Sequence, residues 1–214
     1  MKRSLIKSGI KINTTGLMHY YKFDGSTKDE VTDVVNGANV SYATGVIGKS
    51  AYFGSYSPLK YAGQTGVYSE FTISLWVNAD NISLDNYRGL FVSRRNDESN
   101  EYGIVLEDKN FIVYENTTRR SQGRFIFSAW TMITFIVTGG KGYLYINGIL
   151  VDSFTYRYME IADFTYIGCD NLPVNTSIKN RGLKGYIDEM SIWNRALSGE
   201  EVNRLYNDNK GLKL

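Results

Sequence analysis

Residues 142–154 read "GYLYINGILVDSF", two alternating runs joined by Asn147-Gly148. An Asn-Gly pair between such runs is the preferred two-residue type I′ hairpin turn, because both central residues must take positive φ. The run just upstream, "WTMITFIVT" (130–138), sets Ile133, Phe135 and Val137 against Met132, Thr134 and Ile136. A strand leading into a tight hairpin is an antiparallel signal, and it organises the rest of the chain.

The same period-two pattern recurs on either side. "FTISLWVN" (71–78) opposes Phe71, Ile73, Leu75 and Val77 to Thr72, Ser74 and Trp76, and "GLMHYYKFDG" (16–25) opposes Leu17, His19, Tyr21 and Phe23 to Met18, Tyr20 and Lys22. Shorter candidates are "GLFVS" (89–93), "EYGIVLE" (101–107), "NFIVYE" (110–115) and "FTYIG" (164–168). Strands of this kind, spaced by Gly, Asn, Asp and Ser turns, predict an all-β antiparallel sandwich. The 214 residues suit one large β domain or two small ones, and all-β sandwiches often reach this size as one unit. Seventeen tyrosines against two prolines favour strands over a linker-like chain.

One short C-terminal helix is expected. Ser198 is its N-cap, Glu201 completes a capping box, and Leu197 and Val202 hold the staple positions. Val202, Leu205 and Tyr206 form its apolar stripe, and Gly211 is the expected stop. A lone helix on a β protein is expected to cover an edge or an open end. Residues 15–208 are then the sandwich, 1–14 a basic extension and 209–214 a short tail.

The bulk chemistry excludes several functions. A net charge of +2 gives no basis for nucleic-acid binding or an anionic membrane surface. One cysteine (Cys169) and one histidine (His19) rule out an intrachain disulfide and a Cys/His zinc site within one chain, and His19 lies in an aromatic strand. Any metal would need oxygen ligands, calcium first. The N-terminal "MKRSLIKSGIKINTT" lacks the apolar core of a signal peptide, and no run is long enough to span a membrane. Cytosolic synthesis is the expectation.

The closing segment, "GYIDEMSIWNRALSGEEVNRLYND" (185–208), poses a problem. Strict alternation puts Asp188 on the face of Met190 and Ile192, where an isolated carboxylate would carry a large desolvation cost. A metal ion, an arginine, backbone amides or a place at the strand mouth would each relieve it.

Taken in order, "GLMHYYKFDG", "GVIGKSAYFGS" (45–55), "FTISLWVNAD", "WTMITFIVTGGKGYLYINGILV" and the closing segment resemble the laminin G-like branch of the concanavalin A-like lectin/glucanase superfamily. Gly54 departs from that pattern, standing where an aspartate usually follows the phenylalanine. The resemblance implies a two-sheet jelly roll and a structural Ca²⁺ held by Asp188, helped by Asp24 and Gly25 at the end of the first strand. It also implies that the glucanase Glu-x-Asp-x-Glu pattern, which supplies a retaining glycosidase with its paired carboxylates, is to be sought; it does not occur here. No catalytic residue is assigned.

For a glycan, stacking aromatics with neighbouring hydrogen-bonding side chains are expected in "DNYRGL" (85–90) and "TYRYMEIAD" (155–163): Tyr87, Arg88, Tyr156, Arg157 and Tyr158. "NTTRRSQGR" (116–124), with Arg119, Arg120 and Arg124, reads as a polar, solvated turn, the alternative being a contact for an acidic polysaccharide or partner. The expected function is a non-catalytic module recognising a polysaccharide or cell-surface glycan. A phage virion decoration attached to other virion proteins through residues 1–14 is one setting for it. The alternative is a structural cement protein without a sugar ligand, and a glycoside hydrolase ranks below both.

Overall fold

The computed structural model describes residues 12–54, 57–80, 88–95, 101–107, 109–170 and 181–214. In chain order the strands are β1 (Leu17–Tyr21), β2 (Ser41–Thr44), β3 (Lys49–Phe53), β4 (Leu59–Lys60), β5 (Gly66–Tyr68) and β6 (Phe71–Ala79). They continue as β7 (Arg88–Arg94), β8 (Tyr102–Glu107), β9 (Asn110–Glu115), β10 (Thr118–Arg124) and β11 (Thr131–Thr138). The last are β12 (Lys141–Ile146), β13 (Ile149–Thr155), β14 (Met159–Ile161), β15 (Phe164–Ile167) and β16 (Gly185–Trp193), followed by helix α1 (Gly199–Tyr206).

The strands form two large antiparallel layers. One has the order β13-β12-β11-β6-β16-β3-β2, with β1 also paired to β16. The other runs β10-β9-β8-β7-β15-β4, and β14 pairs with β5 as a separate ribbon. This is the jelly-roll sandwich expected from the alternation. At the hairpin, Asn147 (φ 51°) and Gly148 (φ 78°) both take the left-handed conformation. The Asn147 side-chain oxygen accepts the Met132 N–H at 2.8 Å and its own N–H donates to Met132 O at 2.8 Å, so the turn is stitched to β11.

The alternating faces split between two apolar clusters. Phe71, Ile73, Leu75 and Val77 of β6 and Ile133, Phe135 and Val137 of β11 meet Phe91, Ile104, Phe111 and Val113 of the second sheet. Each side chain of this kind contributes about 1.5–3 kcal/mol when fully buried. The opposite face of the larger sheet presents Trp76, Met132, Ile136 and Trp193, which are covered by Leu197, by Val202 and Leu205 of α1, and by Ile12. Tyr206 stacks on Trp76 at 5.6 Å. The helix therefore covers a sheet face, not the edge or open end expected of it.

The capping box is present, with Ser198 accepting the Glu201 N–H and the Glu201 side chain accepting the Ser198 N–H. The helix stops earlier than Gly211, at a left-handed Asn207 (φ 48°). Asparagine tolerates that conformation and caps in glycine's place. Arg195 binds the termini together, donating to Thr15 O at 2.8 Å, Asn13 O at 2.7 Å and Glu201 at 2.7 Å. Ile12 and Gly211 are buried, so residues 12–14 and part of 209–214 pack on the sandwich rather than standing outside it. Residues 1–11 lie outside the described set.

The stretch read as a solvated turn is strand β10, paired to β9 from Thr118↔Glu115 to Arg124↔Asn110. Its inward positions are Ser121 and Gly123; a Cβ on Gly123 would lie 2.5 Å from Ile146. Close approach of the two sheets at this edge admits only small residues, so the strand carries no apolar signature. Arg120 pairs with Glu115 at 2.7 Å. No helix among the described residues is long and apolar enough to cross a membrane.

Candidate functional site

The puzzle at Asp188 resolves through a β-bulge. Ile187 pairs with Val77 and Asp188 with Trp76, but the next paired residue, Ser191, faces Ser74, so Glu189 and Met190 together oppose Leu75. Glu189 takes φ 48° to make the bulge. The inserted residue reverses the alternation: Ile187 and Met190 both enter the inter-sheet core, and Asp188 turns to the outer side with Trp76. The placement of Asp188 beside Met190, derived from unbroken alternation, is thereby corrected.

Asp188 is fully buried, and its oxygens accept three backbone N–H groups: Val46 at 2.7 Å, Ile47 at 3.1 Å and Glu189 at 2.9 Å. Asp24 holds the other end of the same turn, accepting Lys49 N–H at 2.7 Å. The spacing Gly45-x-x-Gly48 follows from this clamp. A Cβ on Gly45 would stand 2.4 Å from an Asp188 oxygen, and one on Gly48 (φ 63°) 2.1 Å from an Asp24 oxygen. Burial pushes Asp188 up to about 7 against the pull of its amide donors. Burial likewise raises Glu189 to about 8, opposed by the hydrogen bond from the Tyr20 hydroxyl.

This donor set does not fit calcium. A Ca²⁺ site needs six to eight oxygen ligands, whereas the Asp188 oxygens face amide hydrogens. Among the described residues no group of three or more His, Cys, Asp or Glu side chains is arranged to hold a metal. The Gly25 N–H donates to Phe23 O at 2.8 Å within its own tight turn. Asp188 and Asp24 act as a clamp on the Gly45–Lys49 turn.

Of the five residues expected to meet a glycan, four are described, and two of these are buried. Tyr87 lies outside the described residues. Arg88 is buried at the start of β7. Tyr156 is also buried, correcting the expectation that it reaches solvent: its ring packs edge-on against Phe135 at 4.9 Å and its hydroxyl donates to Tyr114 O at 2.9 Å. Arg157 is exposed, its N–H bound to Glu115 at 2.5 Å. Tyr158 is half-buried and stacked on Tyr102 at 5.8 Å.

A concave site exists next to this segment. β14 pairs with β5 through Met159↔Tyr68, Glu160↔Val67 and Ile161↔Gly66, and β4 pairs with β15 through Tyr166↔Lys60. Two adjoining hollows lie between these elements, of about 510 Å³ and about 400 Å³. They share Thr65, Ala162 and Asp163, so they form the two lobes of one groove. The larger lobe adds Lys60, Tyr61, Gly63 and Asn36; the smaller adds Val67, Arg95 and Glu160. The Arg95 guanidinium donates through two nitrogens to the two oxygens of Glu160. Ala162 is fixed by its N–H to Ser93 Oγ at 2.8 Å and by Thr165 Oγ1, which donates to Ala162 O at 2.7 Å.

Tyr61, which lines the larger lobe, belongs to a buried polar cluster. Tyr61 meets His19 edge-on at 4.8 Å, and His19 Nδ1 lies 2.7 Å from Asp29. Burial would raise Asp29, but hydrogen bonds with His19, Thr32, Tyr20 and Val31 outweigh it and hold the carboxyl down at about 2. The buried Tyr61 hydroxyl has no hydrogen-bond partner, and burial raises it, so it stays a neutral phenol. Sequence reasoning marked 155–163, which supplies Glu160 and Asp163, but passed over "YAGQTG" (61–66), whose two glycines among polar residues were the available signal.

Comparison with solved structures agrees on the fold. Domain 4 of an extracellular arabinanase from Geobacillus stearothermophilus, in complex with arabinotriose, superposes with TM-score 0.69 and 22% identity over 87% of this chain and 96% of that one. The binding domain of Paraclostridial Mosquitocidal Protein 1 gives 0.67 and 20% over 92% and 53%. Trypanosoma rangeli sialidase with sialic acid gives 0.69 and 16% over 96% and 35%. The chain thus spans about half and about a third of the last two. No curated protein sequence matches it. The family profile described as the concanavalin A-like lectin/glucanases superfamily matches residues 53–203. This chain, with its two antiparallel sheets and laminin G-type sequence pattern, belongs to that superfamily.

Proposed function

We propose that the protein is a non-catalytic carbohydrate-binding module whose ligand lies in the groove along the β5–β14 ribbon. The observation that carries this reading is the groove itself, which gathers carboxylates, cations, a threonine and a tyrosine from four separate stretches of the chain, at 36, 60–67, 95 and 160–163. Sugars present alternating hydroxyl donors and acceptors, and a concave surface with a few placed polar groups suits them. The arabinanase domain solved with arabinotriose supports the same reading by analogy of fold. Hydrolysis is not proposed. Glu160 is committed to Arg95, so among the described residues the groove presents no free carboxylate pair of the kind glycoside hydrolysis uses.

A glycan array probed with the wild-type protein tests the proposal. Binding should be lost in Asp163→Ala with Lys60→Ala, whose side chains are exposed, while the melting temperature stays unchanged. Undiminished binding by that double variant would refute the groove. A second reading, a cement protein of an assembly such as a phage particle, is favoured by edge strand β13, where Ile149, Leu150 and Val151 are all exposed. Substituting these three by Thr should then abolish incorporation into the assembly without touching array binding.

A further inference from the structure

We infer that the outer face of the larger sheet carries a second sugar-binding surface, a cross-strand strip of Tyr52, Tyr186 and Trp130 that stacks on an extended, uncharged oligosaccharide chain. The strip shares no residue with the groove, so the two readings stand or fall separately.

Strand register places these side chains in one row. Tyr52 of β3 pairs with Tyr186 of β16, and Tyr186 pairs in turn with Asn78 of β6. Trp130 enters β11 one residue ahead of the Thr131↔Val77 pair, beside Asn78, and packs with the outer apolar cluster. The flanking residues Ala51, Phe53, Val77, Ala79 and Ile187 all enter the inter-sheet core, so alternation turns the row outward. The Tyr186 ring meets Tyr52 at 4.8 Å and Trp130 at 6.3 Å between centroids, a continuous aromatic surface. In the next row along this face, Trp76 is buried under Tyr206 of α1. Tyr52, Asn78, Trp130 and Tyr186 are each only half-buried. The helix thus covers one part of the outer face and leaves the aromatic row partly open.

The chemistry of the row selects its occupant. Tyrosine and tryptophan suit a contact that is apolar on one side and wet on the other. A pyranose chain offers its C–H faces to such rings and its hydroxyls to the polar groups around them. Here those are Asn78, the tyrosine hydroxyls and Asp80, which accepts the Tyr52 O–H at 2.9 Å. The row itself, Ser41, Tyr52, Tyr186, Asn78 and Trp130, is uncharged. A nucleic acid or an acidic polysaccharide would need cations alongside the stacking rings, and the row supplies none. Exposed aliphatic side chains, which a protein partner would use, lie elsewhere, as on β13. Tyr52 and Trp130 are tilted by 56° and 55° against Tyr186, so the three rings do not share a plane. A single twisted chain can follow those steps, whereas a flat crystalline polysaccharide face cannot.

Acrylamide quenching of tryptophan fluorescence in the full chain tests this, because Trp76 and Trp193 are buried and Trp130 is the accessible one of the three tryptophans. Trp130→Phe should remove the quenchable signal. In the wild type, at least one of cellohexaose, xylohexaose, mannohexaose and chitohexaose should shield Trp130 from acrylamide; hexagalacturonate and oligothymidylate should not. Calorimetric titration with that hexasaccharide should show binding weakened roughly tenfold in Tyr186→Leu, which keeps apolar bulk but loses the ring. Binding that survives Asp163→Ala with Lys60→Ala but is lost with Tyr186→Leu supports the strip alone. If no neutral hexasaccharide shields Trp130, the inference falls and the groove reading is untouched. Shielding by either anionic probe as strong as by the best neutral one overturns the ligand class. If binding vanishes in the groove variant and persists in Tyr186→Leu, the sugar lies in the groove and the strip is overturned. Should Tyr186→Leu fail to fold, shielding in the wild type decides alone.

Discussion

Asp188 and Glu189 stand side by side in the β16 bulge, both buried and both raised, to about 7 and about 8. A carboxyl whose folded pKa exceeds its unfolded value keeps its proton in the folded state over the interval between them. Ionisation then favours the unfolded chain, and stability falls as pH rises from about 4.5 to about 8 for Glu189. Glu189→Gln removes that slope. The variant should match wild type near pH 5 and exceed it by on the order of 1–3 kcal/mol near pH 9, read from unfolding curves across that range; parallel pH profiles would contradict the assignment. Asp188→Ala should cost about 2–4 kcal/mol, because it strands the buried N–H groups of Val46 and Ile47 and leaves a void. Millimolar calcium should leave the melting temperature of the wild-type protein unchanged. The sequence flagged Asp188 as anomalous but could not show the answer: alternation assumes unbroken register, and one inserted residue is invisible until the partner strand is known.

Among the elements, legibility followed length and contrast. β6 and β11 were read with the correct faces, because long strands between a core and a covered outer face keep strong alternation, and the β12–β13 hairpin was read from its Asn-Gly turn. The three-residue strands β5 and β14 were not read, being too short to establish a period, and β10 was hidden by its small, polar inward residues. The groove is built mainly from such pieces, which is why only one of its walls was anticipated. The helix was read from its cap. Ser198→Ala should cost about 1 kcal/mol in equilibrium unfolding, since α1 keeps its packing on Trp76 and loses only the hydroxyl bond to Glu201 N–H.

For the whole molecule, sequence reasoning reached the two-layer architecture but not its order. In the larger sheet, β16 is bonded to β6 on one side and β3 and β1 on the other, so the last strand of the chain lies in the interior of the sheet. Ending the chain at Lys184 should therefore yield aggregated protein, measurable by sedimentation, and not a folded remnant lacking one edge. The same arrangement governs synthesis. Until residues 185–193 emerge from the ribosome, β3 and β6 present raw, unsatisfied flanks with no mate between them. A nascent polypeptide of this design must wait for β16, shielded by chaperones or by haste, and a ribosome stalled before it would release sticky material rather than a working fragment.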